Sequence, residues 1–505
     1  MSYYYGCNNV SSLKKNECSG CGACAVVCSQ KCITMSRDRE GFLYPVVDTK
    51  CISCGKCLEI CKKTVKRYKL AQAHCYATYA KEETDRSKGS TGATFFVLAK
   101  EVISRGGIVF GAAFDSEQDV SHISAESFQD AYRLCGSKYV ESSIVNVFLN
   151  IENELEKGKE VLFSGLPCQV SAIKRYLKKE YRNLICVALV CYGVPSALVW
   201  KSFLREIENN YLLETVCKVN FRKKYQEKRF FEIKSSNKTI IWNDNPYVEG
   251  FNKCYYMRES CYECREKDGY SSADIVLGDF WGIENFDKKS SNINSVNCCI
   301  LLTPKGKKIF KDAKKLKKKE SLYGEILIGN PALERSCQVD IEIREYFFKE
   351  FILTNNFMKS FDKTKKYVEK LLDVKKKRIE IKGFKVFDQW LTNYRFGKTI
   401  DVFFKDNMYQ HIAVYGVGRL GKQIISELKE TNIKVDYGID RRSKSINVQD
   451  VHVISIEEMP EMEDVDVIVV TPIHVFDRIE RQLMEYGFKG DIVSISQIVD
   501  YVSKY

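Results

Sequence analysis

Apolar runs of strand length recur through the middle of the chain, separated by glycine, proline and polar clusters. Gly107–Phe114, Glu160–Ser164, Asn183–Val190 and Asp274–Leu277 predict strands, and Asn183–Val190 is apolar enough to be buried on both faces. Phe95–Ser104 carries its apolar positions at helical spacing. Between residues 341 and 406 the pattern turns charge-rich and helical, as in Tyr367–Leu372 and Phe384–Leu391. Beyond it, strand-like Gln410–Tyr415, Val435–Ile439 and Val465–Val470 flank a helix at Lys422–Lys429. The expectation is a mixed α/β and α+β multidomain chain. Its parts are a small N-terminal module (1–70), a larger α/β domain (71–340), a helical connector (341–406) and a C-terminal α/β module (407–505).

The first 70 residues follow another logic. After a polar lead with a stray Cys7, they read Cys18-x2-Cys21-x2-Cys24-x3-Cys28 and then Cys51-x2-Cys54-x2-Cys57-x3-Cys61. This is the doubled spacing of bacterial two-cluster ferredoxins, in which each half gives three thiolates to one cubane and a fourth to the other. The expected ligand sets are Cys18, Cys21, Cys24 and Cys61, and Cys51, Cys54, Cys57 and Cys28. Gly20, Gly22 and Gly55 let the backbone approach a cluster closely. Zinc hooks usually come as two separated C-x2-C pairs, and nothing resembles a secretory signal that would favour disulfides. The proline that commonly follows the fourth cysteine is replaced by Ser29 and Lys62. Cys32 has no vacancy in this scheme and is expected to be a small buried hydrophobe.

Composition narrows the class. With 505 residues, 45 % hydrophobic and 29 % charged, the chain suits a globular protein of several domains. No apolar run is long enough to span a membrane. Twenty-two cysteines point to metal ligation in a reducing cytoplasm. The net charge of +13 gathers in lysine runs such as Lys317-Lys318-Lys319 and Lys375-Lys376-Lys377-Arg378. These suit an acidic redox partner such as a ferredoxin, or simply solvated helix faces. No aromatic–basic signature or reading helix of a nucleic-acid module is present.

Two loops of small residues in the large domain are candidate cofactor contacts: Ser90-Thr91-Gly92, which leads into a helix, and Gly136-Ser137-Lys138-Tyr139. Cys168 and Cys191 follow predicted strands, where open α/β sheets build their pockets, and Cys261 and Cys264 form a C-x2-C hook. These four cysteines are expected to hold a third [4Fe-4S] cluster, with core packing as the competing account.

Over roughly residues 72–340 the chain resembles the coenzyme F420 hydrogenase/dehydrogenase beta-subunit family. The resemblance rests on Ser90-Thr91-Gly92, Gly136-Ser137-Lys138-Tyr139-Val140, Phe163-Ser164-Gly165-Leu166-Pro167-Cys168-Gln169, Cys191-Tyr192-Gly193-Val194-Pro195-Ser196, Cys261-Tyr262-Glu263-Cys264 and Gly278-Asp279-Phe280-Trp281-Gly282. It implies a flavin (FAD or FMN), a cluster in the flavin domain, and both small-residue loops facing flavin or substrate. Gly92-Ala93, Leu166 and Tyr192 stand where the family has a second glycine, a threonine and a histidine; the cysteines are kept.

In the C-terminal module, Gly416-x-Gly418-x-x-Gly421 lies between strand and helix, and Asp440 ends the next strand, as in dinucleotide-binding Rossmann units. The expected ligand is NAD(P) or a nucleotide-sugar, with a purely structural or docking role as the rival. The module also resembles small nucleotide-binding-like units appended to enzymes of surface-sugar biosynthesis. The combined expectation is an iron–sulfur flavoprotein oxidoreductase. It passes electrons between clusters and a two-electron acceptor, a deazaflavin-like or other small substrate, which the appended module would place in surface-polysaccharide biosynthesis. The alternative is an electron-relay or scaffold subunit serving a partner enzyme.

Overall fold

The structure, a computed structural model, describes residues 8–225, 228–285, 296–337, 340–448, 450–462 and 464–504. Cys7 lies outside the described residues. Two compact units divide at Tyr367/Val368, inside the helix Phe357–Arg395.

The first unit begins with the ferredoxin module. Its short helices, Ala23–Val27 and Lys56–Lys62, each open at a glycine in the left-handed region, Gly22 (φ 76°) and Gly55 (φ 77°). A Cβ at Gly22 would stand 2.4 Å from Val145, so conformation and space both demand glycine. An antiparallel hairpin, Ile33–Arg37 with Leu43–Val47, lies between the helices.

The large domain is built on a nine-stranded mixed sheet. Its strands run in the order Leu316–Ser321, His74–Ala80, Asn297–Leu301, Ile275–Asp279, Leu184–Leu189, Val161–Gly165, Ile108–Phe114, Val120–Ala125 and Ser142–Ser143. The four from Ile275–Asp279 to Ile108–Phe114 pair in parallel. All of Val161–Gly165 and all but the last residue of Leu184–Leu189 are buried, which explains their unbroken apolar runs. A separate three-stranded sheet, Val216–Tyr225, Lys228–Ser235 and Thr239–Trp242, closes over an aromatic core containing Trp200, Phe203, Phe221, Phe231 and Tyr247. Sequence pattern had not distinguished this sheet.

The ferredoxin module is fastened to the large domain by buried arginines. Arg258 is fully buried and pairs with Glu141, while its guanidinium donates to the carbonyls of Cys18 (3.3 Å) and Leu43 (3.0 Å). Burial alone would weaken its hold on the proton; the Glu141 carboxylate more than offsets this. Arg37 reaches the same carboxylate at 2.9 Å, and Arg344 pairs with Glu40.

The second unit holds a five-stranded parallel sheet in the order His452–Ile454, Lys434–Ile439, His411–Tyr415, Val467–Val470, Asp491–Ser494. This is a Rossmann-like arrangement, with two strands more than the sequence pattern disclosed. The order reverses between His411–Tyr415 and Val467–Val470, which makes the ends of these strands the switch point. Among the described residues no helix is long and apolar enough to cross a membrane.

Replacing Glu141 by Gln keeps the shape but leaves the Arg258 charge unmatched. We expect this to cost about 3–5 kcal/mol, the usual penalty for breaking a buried pair, read as a lower denaturation midpoint. A loss under about 1 kcal/mol would show that other contacts hold the module.

Candidate functional site

Cys24 and Cys57 are buried on the two ferredoxin helices; Cys21 and Cys54 lie in the loops before them. Burial pushes the Cys24 thiol up, and the neighbours that add to the effect are Cys21, Cys18 and then Cys61. Cys61 is raised to about 11 by burial, with Cys21 next. The fourth cysteine of the second half thus stands among the first three. On the other side, the Cys28 and Cys32 sulfurs are 3.4 Å apart, and Cys28 and Cys51 both bear on Cys32. Cys51 receives a contact from Asn9 Nδ2 at 3.6 Å. Cys32 is buried in a small apolar cluster with Val10 and Ile33, as expected, and stands beside the proposed ligand Cys28. Among the described residues no three His, Cys, Asp or Glu side chains converge as for a single metal ion. Cubane thiolates bind different irons and need not meet at one point.

A second gathering of cysteines lies at the carboxyl ends of the parallel strands. Cys168 sits in the first turn of the helix Pro167–Leu177, directly after Val161–Gly165, and Cys191 follows Leu184–Leu189. Cys261 ends a 3-10 turn and accepts from Val194 N–H at 3.4 Å, while Cys264 N–H donates to Ser336 at 2.9 Å. Burial raises the Cys168 thiol well above its usual range, and Cys191, Cys264 and Cys261 follow as causes, so the structure brings these four together. Sequence reasoning missed two more at the same place: Cys254 and Cys337, with sulfurs 3.1 Å apart. Neither belongs to a spaced motif, so only the fold reveals them.

The first and second gatherings adjoin. Arg175, on the helix Pro167–Leu177 that carries Cys168, donates to the Cys61 carbonyl at 2.7 Å. Asn16 and Glu17, just before Cys18, meet Glu263 and Arg265 on the hook of Cys261 and Cys264.

A cavity of about 840 Å³ opens in the large domain. Seven cationic side chains line it, Arg86, Lys88, Arg133, Lys138, Lys218, Arg222 and Lys223, against the acidic Glu83 and Asp115. Ser90, Gly136, Ser137 and Lys138 lie on its wall, and Ser137 N–H and Oγ both donate to Ser90 Oγ, at 2.7 and 3.0 Å. Thr91 and Gly92 turn away from it. Thr91 receives Asn297, and a Cβ at Gly92 would stand 2.5 Å from the Thr78 carbonyl. Tyr139 stacks on Phe251 at 4.3 Å, and Phe251 contacts Tyr192 at 5.8 Å, so rings run from beside Cys191 to beside Lys138. Arg222 pairs with Asp279 and lies over Trp281. Its Nη2 and the Oε1 of Gln118, another lining residue, are buried without a hydrogen bond among the described residues.

In the second unit Gly416 (φ 87°) makes the tight turn, and its carbonyl accepts from Thr471 Oγ1 at 2.6 Å across the switch point. A Cβ at Gly421 would lie 2.4 Å from the Gly416 carbonyl, and one at Gly418 would meet no atom within 4 Å. Helix and strand therefore pack closely at Gly421, while Gly418 stays open to a ligand. Asp440 is engaged internally, accepting from Val417 N–H (3.0 Å) and Arg442 N–H (2.9 Å).

Known families match three parts of the chain. Residues 158–321 match the family described as the C-terminal region of the beta subunit of coenzyme F420 hydrogenase/dehydrogenase. Residues 17–65 match the 4Fe-4S dicluster domain, and residues 407–498 the CoA binding domain. A coenzyme F420-dependent sulfite reductase of Methanocaldococcus jannaschii is 25 % identical over 278 residues, 52 % of this chain and 42 % of that protein. The F subunit of the F(420)H(2) dehydrogenase of Methanosarcina mazei is 21 % identical over 224 residues, 42 % of this chain and 61 % of that protein. The chain thus spans less than two thirds of either relative. A chain in the F420-reducing [NiFe] hydrogenase complex of Methanosarcina barkeri aligns over 60 % of this chain and 93 % of its own, at 17 % identity and a TM-score of 0.36.

Burial holds Lys138 down to about 8. A bound anion favours the charged form, so binding is at full strength below that value and weakens as pH rises through it. ADP, used as a probe of the cavity, should bind up to about tenfold more weakly at pH 9 than at pH 7, and Lys138→Met should remove that difference. Equal affinities in the parent protein, measured by calorimetry, would exclude Lys138 as an anion contact.

Proposed function

We propose that this iron–sulfur oxidoreductase works through a flavin held in the basic cavity, passing electron pairs to or from a small acceptor. The observation that carries the reading is continuity. Two ferredoxin-type cysteine sets, a third set at the strand ends and the cavity adjoin one another within a single compact unit. In this reading the outer set, Cys28, Cys51, Cys54 and Cys57, exchanges electrons with a partner. Cys54 and Ile52 are exposed there, and Lys31, Lys50 and Lys56, exposed as well and close in sequence to the set's cysteines, suit an acidic ferredoxin. The set of Cys18, Cys21, Cys24 and Cys61 comes next, then that of Cys168, Cys191, Cys261 and Cys264.

A flavin, when bound, interconverts one- and two-electron steps, chemistry that clusters do not supply. The chain's own residues would hold it. Lys138, fixed by the carbonyls of Leu134, Cys135 and Gly136, and Arg222, fixed by Asp279, would offer charge to its phosphates, and Ser90 and Ser137 would offer hydroxyls. A deazaflavin-type acceptor suits a cavity lined with so many cations, and the two relatives are themselves named for coenzyme F420. The C-terminal module is proposed to take a ligand with a nucleoside diphosphate, the chemistry shared by CoA, NAD(P) and nucleotide-sugars, at the open Gly418.

Anaerobic purification with iron, sulfide and flavin analysis tests the main reading. We expect about twelve irons per chain from three four-iron clusters, with one flavin, and Cys264→Ser should lose about four irons. About eight irons and no flavin would leave the four cysteines as core packing and the chain as a relay.

For the second unit, Gly418→Ala should abolish binding of a nucleoside diphosphate ligand while stability changes by less than about 0.5 kcal/mol, because the methyl enters open space. Unchanged binding of ADP, CoA or NAD(P) by the variant would remove the glycine loop from the site. No binding of any of them by the parent protein would leave the module structural.

A further inference from the structure

Six cysteines meet at the strand ends, and a cubane takes four. Cys254 and Cys337 remain. Their sulfurs lie 3.1 Å apart, and the Cys337 thiol also donates to the Tyr192 carbonyl at 3.3 Å. The Lys267 ammonium donates to that same carbonyl at 2.8 Å, which places a buried cation beside the pair. The thiolate is the form that attacks disulfides. Space has been left for the contact: a Cβ on Gly193 would come within 3.3 Å of the Cys337 sulfur. Cys254 has φ 54°, a left-handed conformation in which glycine or asparagine is usual. The two thiols differ in access, since Cys254 is fully buried and Cys337 is partly exposed. Cys337 N–H reaches the Cys261 carbonyl at 3.4 Å, so the pair abuts the third cysteine set.

We propose that Cys254 and Cys337 form a redox-active dithiol that exchanges with disulfides of low-molecular-weight thiols, an acceptor site separate from the cavity. The Cys337 thiolate attacks one sulfur of a small disulfide RSSR; the S–S bond breaks and one RS⁻ leaves, taking up the proton that Cys337 released. The Cys254 sulfur then attacks the Cys337 sulfur of the mixed disulfide, expelling the second RS⁻, which takes the Cys254 proton. The balance is two cysteine thiols and RSSR giving one protein disulfide and two RSH: the pair loses two electrons and the small disulfide gains them. Closing the bond needs the sulfurs to approach from 3.1 Å to about 2 Å. The exposed Cys337 meets the substrate and the buried Cys254 resolves the intermediate.

The test uses the full-length, iron-loaded protein under anaerobic conditions, equilibrated with reduced and oxidised glutathione in varying ratio. Samples are quenched in acid, blocked with N-ethylmaleimide and mapped by peptide mass. As the buffer becomes oxidising, Cys254 and Cys337 should lose their label together. A cross-linked peptide pair two hydrogens lighter should appear, with iron content unchanged. Cys254→Ser should accumulate Cys337 as a glutathione adduct, and Cys337→Ser should keep the parent's iron. The proposal is overturned if both thiols take maleimide at every ratio, if Cys337→Ser loses iron and so proves to be a ligand, or if the parent protein stops at the glutathione adduct. Should Cys254→Ser fail to fold, the map of the parent protein decides alone.

Discussion

One buried cation organises the redox half of the molecule. The Arg258 guanidinium touches the loop that carries Cys18, the hairpin strand that begins at Leu43, and Glu141, which follows the Gly136–Val140 turn of the cavity wall. Its backbone N–H donates to Val194 near Cys191, and its carbonyl accepts from Cys261. Taking such a charge out of water is costly and needs a matched partner and hydrogen bonds; here Nη1 and Nη2 are bonded, while the buried Nε has no partner among the described residues. That requirement fixes geometry. If Glu141, Cys18 or Leu43 moved away, a charge would be left uncompensated in a dry interior. Phe42 and Tyr44 flank the guanidinium at 5.1 and 4.7 Å and add cation–π attraction to the same constraint.

Around this anchor the redox parts are placed by backbone geometry. Parallel strands deliver their carboxyl ends to one edge of the sheet, so Cys168 and Cys191 arrive there without any motif linking them. The helix that holds Cys168 then carries Arg175 back to Cys61, so one rigid element spans from the strand-end cysteines to the ferredoxin module. Arg344 and Glu40 repeat the buried-pair device nearby, and Arg344 also donates to the Met257 carbonyl at 2.7 Å, next to Arg258. Two buried arginines on adjoining segments resist rotation of the small module better than either would alone.

How much of this was legible in the sequence depended on whether the determinant was local. The eight ferredoxin cysteines were readable because ligand spacing within one loop and one short helix is a local property. The parallel strands were readable from their apolar runs, and the Gly416–Gly421 turn from its setting between strand and helix. Strand His452–Ile454 is only a short edge segment with exposed His452, too brief to leave a pattern. Strands Val216–Tyr225 and Lys228–Ser235 alternate apolar with lysine and arginine, and their buried partners lie in the helices that flank them in the chain, Ala197–Tyr211 and Pro246–Asn252. Ser90 reaches the cavity while Thr91 and Gly92 do not, because the chain must turn there and Asn297 claims Thr91. Asp440 matched the dinucleotide fingerprint by position, yet its carboxylate is engaged by the N–H groups of Val417 and Arg442. Cys254 and Cys337 could not be paired from sequence, since 83 residues separate them.

The lysine runs show how charge divides between fold and function. Lys317, Lys318 and Lys319 lie on Leu316–Ser321, the outermost strand of the large sheet, which is bonded on one side only to His74–Ala80. Charged side chains on such a strand discourage another chain from adding to the open edge. Lys318 has a further structural duty: its ammonium donates to the carbonyls of Phe310 and Lys311, at the end of the helix Pro304–Asp312. These cations therefore explain themselves within the fold. The cavity cations have comparable duties, Arg222 pairing with Asp279, Arg86 with Glu83, and Lys138 donating to the carbonyls of Leu134, Cys135 and Gly136, but they also line a concave space and outnumber the acids on its wall. Gathering positive charge in a partly desolvated hollow works against stability unless an anion completes it. The cavity, rather than the lysine-rich edge, is where the chain's positive charge gathers around a hollow.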